Sequence, residues 1–391
     1  MSLMNAMRLM REEGAMHGNT AEDGLQQQPV GHGYDRATAA SAPAGHWCLA
    51  WQLGGARAPY SVLVDRRAFL AALLLLLGLL AASFAYLTMG SSALAPKAVL
   101  PALVGRGDLM AVFLVQELRL PRLLAACLTG AAFGVAGCLM QTLARNRLAT
   151  PGIIGIDNGA TAFAVASVIG LGVSLAPPAM ALVGATTAAA LTFGLAAGGG
   201  TRGYRFIVAG IGVGAVFGAI TQLLLAKVHI DTANAAYPWT VGSLNARPAG
   251  AVMLLAVGLP LGLGTALWLT RALSLMRFSD AVASGLGLRV SQRRWQVLAV
   301  SVLLTGLAVS VAGPVGLVGL IGPEIARSLS SPRGVPVMAS ALAGALVMVL
   351  ADLAGRVLLS PIEIPVGIVT AVVGGPWLLW ILLRPASRNL A

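Results

Sequence analysis

Ten apolar runs, most of them about twenty residues long, follow one another between residues 69 and 384, and few folds accept a chain with that pattern. An α-helix of roughly twenty apolar residues is what it takes to cross a ~30 Å hydrocarbon core. Lipid offers no partner to a free N–H or C=O, so an immersed segment has to satisfy its own backbone. The expectation is therefore an all-α, polytopic membrane protein with about ten transmembrane helices. Their approximate bounds are 69–89, 122–144, 156–173, 177–198, 205–227, 249–271, 293–311, 315–330, 335–357 and 364–384. The eighth is short and is interrupted by Pro314, Gly319, Gly322 and Pro323, which reads as a half-helix rather than a full span.

Composition agrees with the pattern. The chain is 57% hydrophobic and 10% charged with a mean hydropathy of +0.83, whereas a soluble domain is about a quarter charged. The net charge of +12 acts as a topology signal. With both termini in the cytoplasm, only Lys97, Arg106, Arg119, Arg122, Lys227, Arg247 and Arg356 fall outside, and the other nineteen of the 26 basic residues fall inside. That distribution obeys the positive-inside rule. The basic residues are spread one to three per loop with no aromatic-interleaved patch, so nucleic acid is not a partner.

Residues 1–66 differ from the transmembrane domain, 67–391. They carry Gln26, Gln27 and Gln28 and several Gly and Ala, and no apolar run precedes Phe69. They read either as a disordered cytoplasmic tail or as the product of a start codon assigned too early, since Met4, Met7, Met10 and Met16 offer later starts. Cys127 and Cys138 lie on one helix about 16 Å apart, too far to bridge, and read as small packing residues. Cys48 is in the tail. Three of the four histidines, His17, His32 and His46, are in the tail as well, and His229 stands alone, so no metal site is expected.

An internal repeat relates the second and seventh spans. Residues 128–137, LTGAAFGVAG, match residues 304–313, LTGLAVSVAG, at seven of ten positions. The copies are five spans apart, an odd number, which places them in opposite orientations as in inverted-repeat transporters. Spans 2–5 would then pair with spans 7–10. Clustered glycines, such as Gly130, Gly134 and Gly137, let helices approach closely where lipid supplies no hydrophobic drive.

Polar groups inside the apolar region call for a reason. Asp157 is placed to cap the third span, Glu324 reads as a first-turn acid of the broken segment, and Asp352 and Arg356 share a helix face at a spacing that allows an ion pair. Structural duty and proton or substrate contact are both open for these groups. Gly313, Pro314, Gly322, Pro323, Pro361, Pro365, Gly375 and Pro376 break apolar runs. Backbone freed at membrane depth needs protein or a wet cavity to satisfy it, which points to a translocation pathway. The loop 271–294, RALSLMRFSDAVASGLGLRVSQRR, carries five arginines, and Ser279 or Asp280 can cap a short helix that stops at Gly285 or Gly287.

The stretch RLPRLLAACLTGAAFGVAGCLMQTLARNRLATPGIIGIDNG at 119–159, with AGPVGLVGLIGPEIAR, ADLAGR and PIEIPVGIVTAVVGGPW nearer the C-terminus, resembles the iron-siderophore, haem and vitamin B12 ABC importer permease family over roughly residues 67–385. The resemblance implies a bacterial inner-membrane permease subunit that moves ferric siderophore, with vitamin B12 or haem as alternative cargo. It implies a coupling loop docked in an ATPase subunit, with Asp280, Ala283, Leu286, Gly287 and Val290 at the matching positions. Arg119, Arg122 and Arg356 would meet carboxylates of a substrate-binding protein. Partners would be a second permease subunit, two ATPases and that binding protein. No GxxxxGK[ST] run occurs in the sequence, so ATP and magnesium would belong to the partner ATPase and this chain would bind no cofactor. Arg147, Leu317 and Glu324 stand where the family favours proline, phenylalanine and histidine. A proton-coupled secondary transporter using Asp352 or Glu324 also accounts for buried acids and a repeat, but not for the loop at 271–294.

Overall fold

The computed structural model describes residues 46–51, 60–90, 94–171, 175–196, 204–331 and 334–383. Most of the tail read from the sequence, with its glutamines and alternative start methionines, lies outside them. The chain divides into two units, Met1–Leu63 and Val64–Ala391. Two strands, β1 (His46–Trp51) and β2 (Tyr60–Asp65), pair as a small sheet.

Everything described after Asp65 is helix or connection. Asp65 starts the first helix, α1 (Arg66–Thr88), with its Oδ1 accepting the N–H groups of Arg67 and Ala68, as an N-cap should. Helices α2 (Pro96–Leu103) and α3 (Leu109–Phe113) follow. A six-residue π segment, Leu114–Arg119, then runs directly into α4 (Leu120–Ala144). After a 3₁₀ turn at Pro151–Ile154 come α5 (Ile156–Ile169), α6 (Pro177–Leu195) and α7 (Tyr204–Ala226). Two short pieces, α8 (Ile230–Ala236) and α9 (Pro238–Val241), precede the long α10 (Ala249–Met276). The remainder is α11 (Asp280–Gly285), α12 (Val290–Ala312), α13 (Val318–Leu329), α14 (Val337–Val357) and α15 (Val366–Leu383).

All ten apolar runs are thus helices. Seven of the described helices are long and apolar enough to cross a membrane, while α5 and α15 are shorter apolar helices and α13 has only 12 residues. The helices α2, α3, α8 and α9 were not anticipated, because each is too short for its periodicity to stand out.

Helices α4 and α12 form the centre of the bundle and bury most of their length. They run antiparallel, and Ser301 Oγ donates to the Ala136 carbonyl at 3.1 Å. The repeat is visible in what surrounds them. A Cβ at Gly130 on α4 would lie 2.5 Å from the Gly344 carbonyl of α14, and its repeat partner Gly306 on α12 faces Ala185 and Leu182 of α6. The second pair of helices follows suit: Gly159 of α5 faces Gly184 of α6, and Gly322 of α13 faces Gly344 of α14. Each half of the fold therefore lends its third element to the other half's first.

Helix α13 corrects one expectation. Pro323 lies inside the helix rather than before it, so Glu324 is seventh in the helix and not in its first turn. Proline at 323 cannot donate to the Gly319 carbonyl one turn back. Gln141 Nε2 of α4 fills that role at 3.3 Å, and Gly137, one turn earlier on α4, leaves space for the same carbonyl, since a Cβ there would sit 1.9 Å from it. A small residue and an amide four apart on α4 thus read the one carbonyl that proline frees.

Candidate functional site

The charged side chains gather at the two ends of the bundle. At the first, α4 ends on Arg145, whose φ of 50° is left-handed. The N–H of Asn146 donates to the Gln141 carbonyl and that of Arg145 to the Thr142 carbonyl, the Schellman pattern in which glycine is usual. A longer residue is held there because its side chain is used. Arg145 Nε donates to the Met276 carbonyl at 2.9 Å, and Nη2 donates to the Phe278 carbonyl and reaches Asp280 at 3.4 Å. Asp280 also accepts from Arg294 Nη2 of α12 at 3.1 Å.

Between those anchors sits α11. Ser279 Oγ accepts from the Val282 N–H at 3.3 Å, and the helix closes on Gly287 at φ 82°, with Leu288 N–H returning to the Ala283 carbonyl. The spacing 279–287 is therefore read correctly from the sequence. Of the five positions expected to couple to an ATPase, Asp280 is the brace, while Ala283 and Val290 are buried. Leu286 is 61% exposed and Gly287 has open space around its Cα. Phe278 and Val282 are exposed alongside Leu286, a face of i, i+4, i+8 periodicity that sequence reading overlooked although the spacing is plain. Nearby, Glu324 pairs with Arg327 at 2.7 Å and with Arg147 at 3.3 Å.

At the opposite end, Asp352 of α14 is 1% exposed and accepts three hydrogen bonds. Arg122 of α4 grips it in bidentate fashion through Nε and Nη2, each at 2.9 Å, and Tyr86 of α1 donates its hydroxyl at 2.5 Å. Arg122 Nη1 extends to Glu363 at 2.8 Å. The ion pair allowed by the spacing of Asp352 and Arg356 is not the one formed. The planar fork of Arg122 occupies both carboxylate oxygens, and Arg356 instead stacks 4.8 Å over the Tyr86 ring. Arg119 is 3% exposed and donates to the Leu87 carbonyl at 2.6 Å. Of the three arginines assigned to docking, Arg119 and Arg122 thus have internal partners, and Arg356 lies beside them.

The expected helix breaks separate into three kinds. Gly313 and Pro314 sit in a backbone junction between the ends of α9, α12 and α15. There Ser243 N–H donates to the Ala312 carbonyl at 2.7 Å and Gly367 N–H to the Gly242 carbonyl at 3.2 Å. A Cβ at Gly367 would lie 1.7 Å from the Val241 carbonyl, so only glycine fits. Peptide groups freed at these helix ends are satisfied by one another. Gly322 and Pro323 pack inside α13 against α14, as described. Gly375 alone has open space around its Cα, and Pro376 beside it is exposed. Asp157 lies in the first turn of α5 but makes no capping bond, and its Oδ1 has no partner among the described residues. The capping position goes to Gly155 at φ 81°.

Comparison with known proteins bears on this arrangement. The FecCD transport family matches residues 74–384. The ferric enterobactin transport system permease protein FepG of Escherichia coli (strain K12) is 34% identical over 84% of this chain and 100% of its own length. The achromobactin transport system permease protein CbrC of Dickeya dadantii (strain 3937) is 37% identical over 80% of this chain and 90% of its own. A solved structure of a metal-chelate type ABC transporter in an inward-facing conformation superposes with a TM-score of 0.70 at 25% identity, covering 81% of this chain and all of the other.

Proposed function

The chain belongs to the FecCD transport family and is a multi-pass membrane permease, and from that premise we propose that it carries ferric siderophore inward across a bacterial inner membrane as the permease subunit of an ABC importer. Ferric enterobactin is what one relative's name specifies, and a metal chelate is what the solved transporter handles. The observation that carries the mechanism is α11: a short helix clamped to the bundle through Asp280 by Arg145 and Arg294, with Phe278, Val282 and Leu286 turned outward.

In this reading both termini and the Asp280 end are cytoplasmic, and the exposed face of α11 seats in a groove of an ATPase subunit. ATP and magnesium belong to that partner. Arg145 is the C-terminal stop of α4, and Arg294 belongs to α12, so displacement of α11 pulls on the ends of both central helices at once. Two permease subunits would form the pathway between them, with the open Gly375–Pro376 face of α15 along it, and two ATPases would close beneath. A binding protein would dock at the Tyr86 end, where Arg356 and the exposed Glu363 lie at the rim and Arg119 and Arg122 stand behind them. A proton-relay reading is disfavoured, because Asp352 and Glu324 are both held by arginines.

The test is uptake of iron-55-labelled ferric siderophores by cells lacking this chain, with and without its restoration. Uptake should vanish on deletion, return with the chain, and persist in a protonophore while ATP lasts. Uptake that collapses with the proton gradient at constant ATP would exclude the mechanism.

A further inference from the structure

Beside α11, and outside the helix face assigned to ATPase docking, a cavity of about 370 Å³ opens between the end of α4, the end of α10 and the connection from α13 to α14. Arg145, Arg147, Arg277 and Arg327 line it, and none of its described lining residues is acidic. The nearest carboxylates lie behind that lining and are already engaged: Glu324 with Arg147 and Arg327, Asp280 with Arg145 and Arg294. Two carboxylates therefore face five guanidiniums, and the surplus positive charge is directed at a concave space. Planar guanidiniums arranged this way suit the oxygens of a phosphate.

A further group narrows the ligand. Gln141 also lines the cavity, is 3% exposed, and has its Oε1 buried without a partner while its Nε2 is committed to Gly319. A buried acceptor left open is unfavourable, and an anion bearing its own O–H would satisfy it. Hydrogen phosphate keeps such a proton near neutral pH; sulfate and a phospholipid diester have none, and a phosphate monoester, whose second pKa is ≈ 6, has mostly lost it. We propose that this cavity binds hydrogen phosphate, held by the arginines and hydrogen-bonded to Gln141. Bound there, it would tie the end of α4 to the start of α14 directly beside the coupling helix.

Thermal unfolding of the full chain in neutral detergent tests this, with inorganic phosphate, sulfate and short-chain phosphatidylglycerol compared at matched ionic strength in chloride. Phosphate should raise the midpoint more than sulfate or the lipid. Arg147→Gln, at a side chain 69% exposed, should weaken the phosphate effect about tenfold without moving the ligand-free midpoint. Equal shifts with sulfate, a shift from the lipid alone, no shift beyond chloride, or an undiminished shift in the Arg147→Gln variant would each overturn the assignment. Glycerol 3-phosphate, a monoester that has mostly lost its phosphate proton at neutral pH, should stabilise less than phosphate, and stabilisation equal to that by phosphate would overturn the hydroxyl contact to Gln141.

Discussion

The Tyr86 end and the Asp280 end of the bundle hold similar numbers of charges but use them in opposite ways. At the first, Arg122 and Tyr86 spend their donors on an Asp352 that is 1% exposed. At the second, Asp280 is 38% exposed, its partner Arg145 borders a cavity, and three large apolar side chains face outward. A closed cluster contributes to the fold and resists change. An open one contributes little to the fold and is free to engage a partner.

The largest effect expected from that contrast is at Asp352. Asp352→Ala removes the buried partner of Arg122 and leaves it only the exposed Glu363, a loss of about 3 kcal/mol that should show as a lower unfolding midpoint in detergent. Replacing the pair together, Arg122→Met with Asp352→Leu, should recover most of it; failure to recover would mean that the cluster does more than hold helices together. Next comes Gly287→Val at the end of α11, where a β-branched residue is forced to a φ of 82° at about 1–3 kcal/mol. That cost should fall on α11 alone, visible as faster amide exchange at 280–288 with the bundle unchanged. Ser279→Ala removes the cap of the same helix for about 1 kcal/mol, with the same local signature in weaker form. Smallest in stability is Asp280→Ala, within about 1 kcal/mol because the pair is partly exposed, yet ferric siderophore uptake should fall severely. Similar stability losses for Asp280→Ala and Asp352→Ala would erase the distinction between the ends.

The spans and the short helix α11 were legible because each writes its signal locally. Twenty apolar residues announce a crossing, and Ser279 followed by Gly287 announces a capped short helix. The repeat was legible because its glycines recur in register, as Gly130 does at Gly306. Contacts between distant segments were not legible. Nothing in the sequence around Asp352 says that Arg122, 230 residues away, will reach it before Arg356 does. The role of Gln141 depends on Pro323 freeing a carbonyl on another helix, which no local pattern encodes. The departures at Arg147 and Glu324 looked independent in the sequence, and only the fold joins them as a pair.

The account depends most on the outward face of α11. Leu286→Asp alters a side chain that is 61% exposed, so it should leave the fold intact while placing a charge where an apolar groove is to receive the helix. The decisive measurement is ATP-driven uptake of ferric siderophore into proteoliposomes holding the assembled importer, with the unfolding midpoint of the permease taken from the same preparation. The expected result is an unchanged midpoint with uptake abolished. Wild-type uptake by a properly inserted Leu286→Asp variant would contradict the assignment of α11 as the coupling helix.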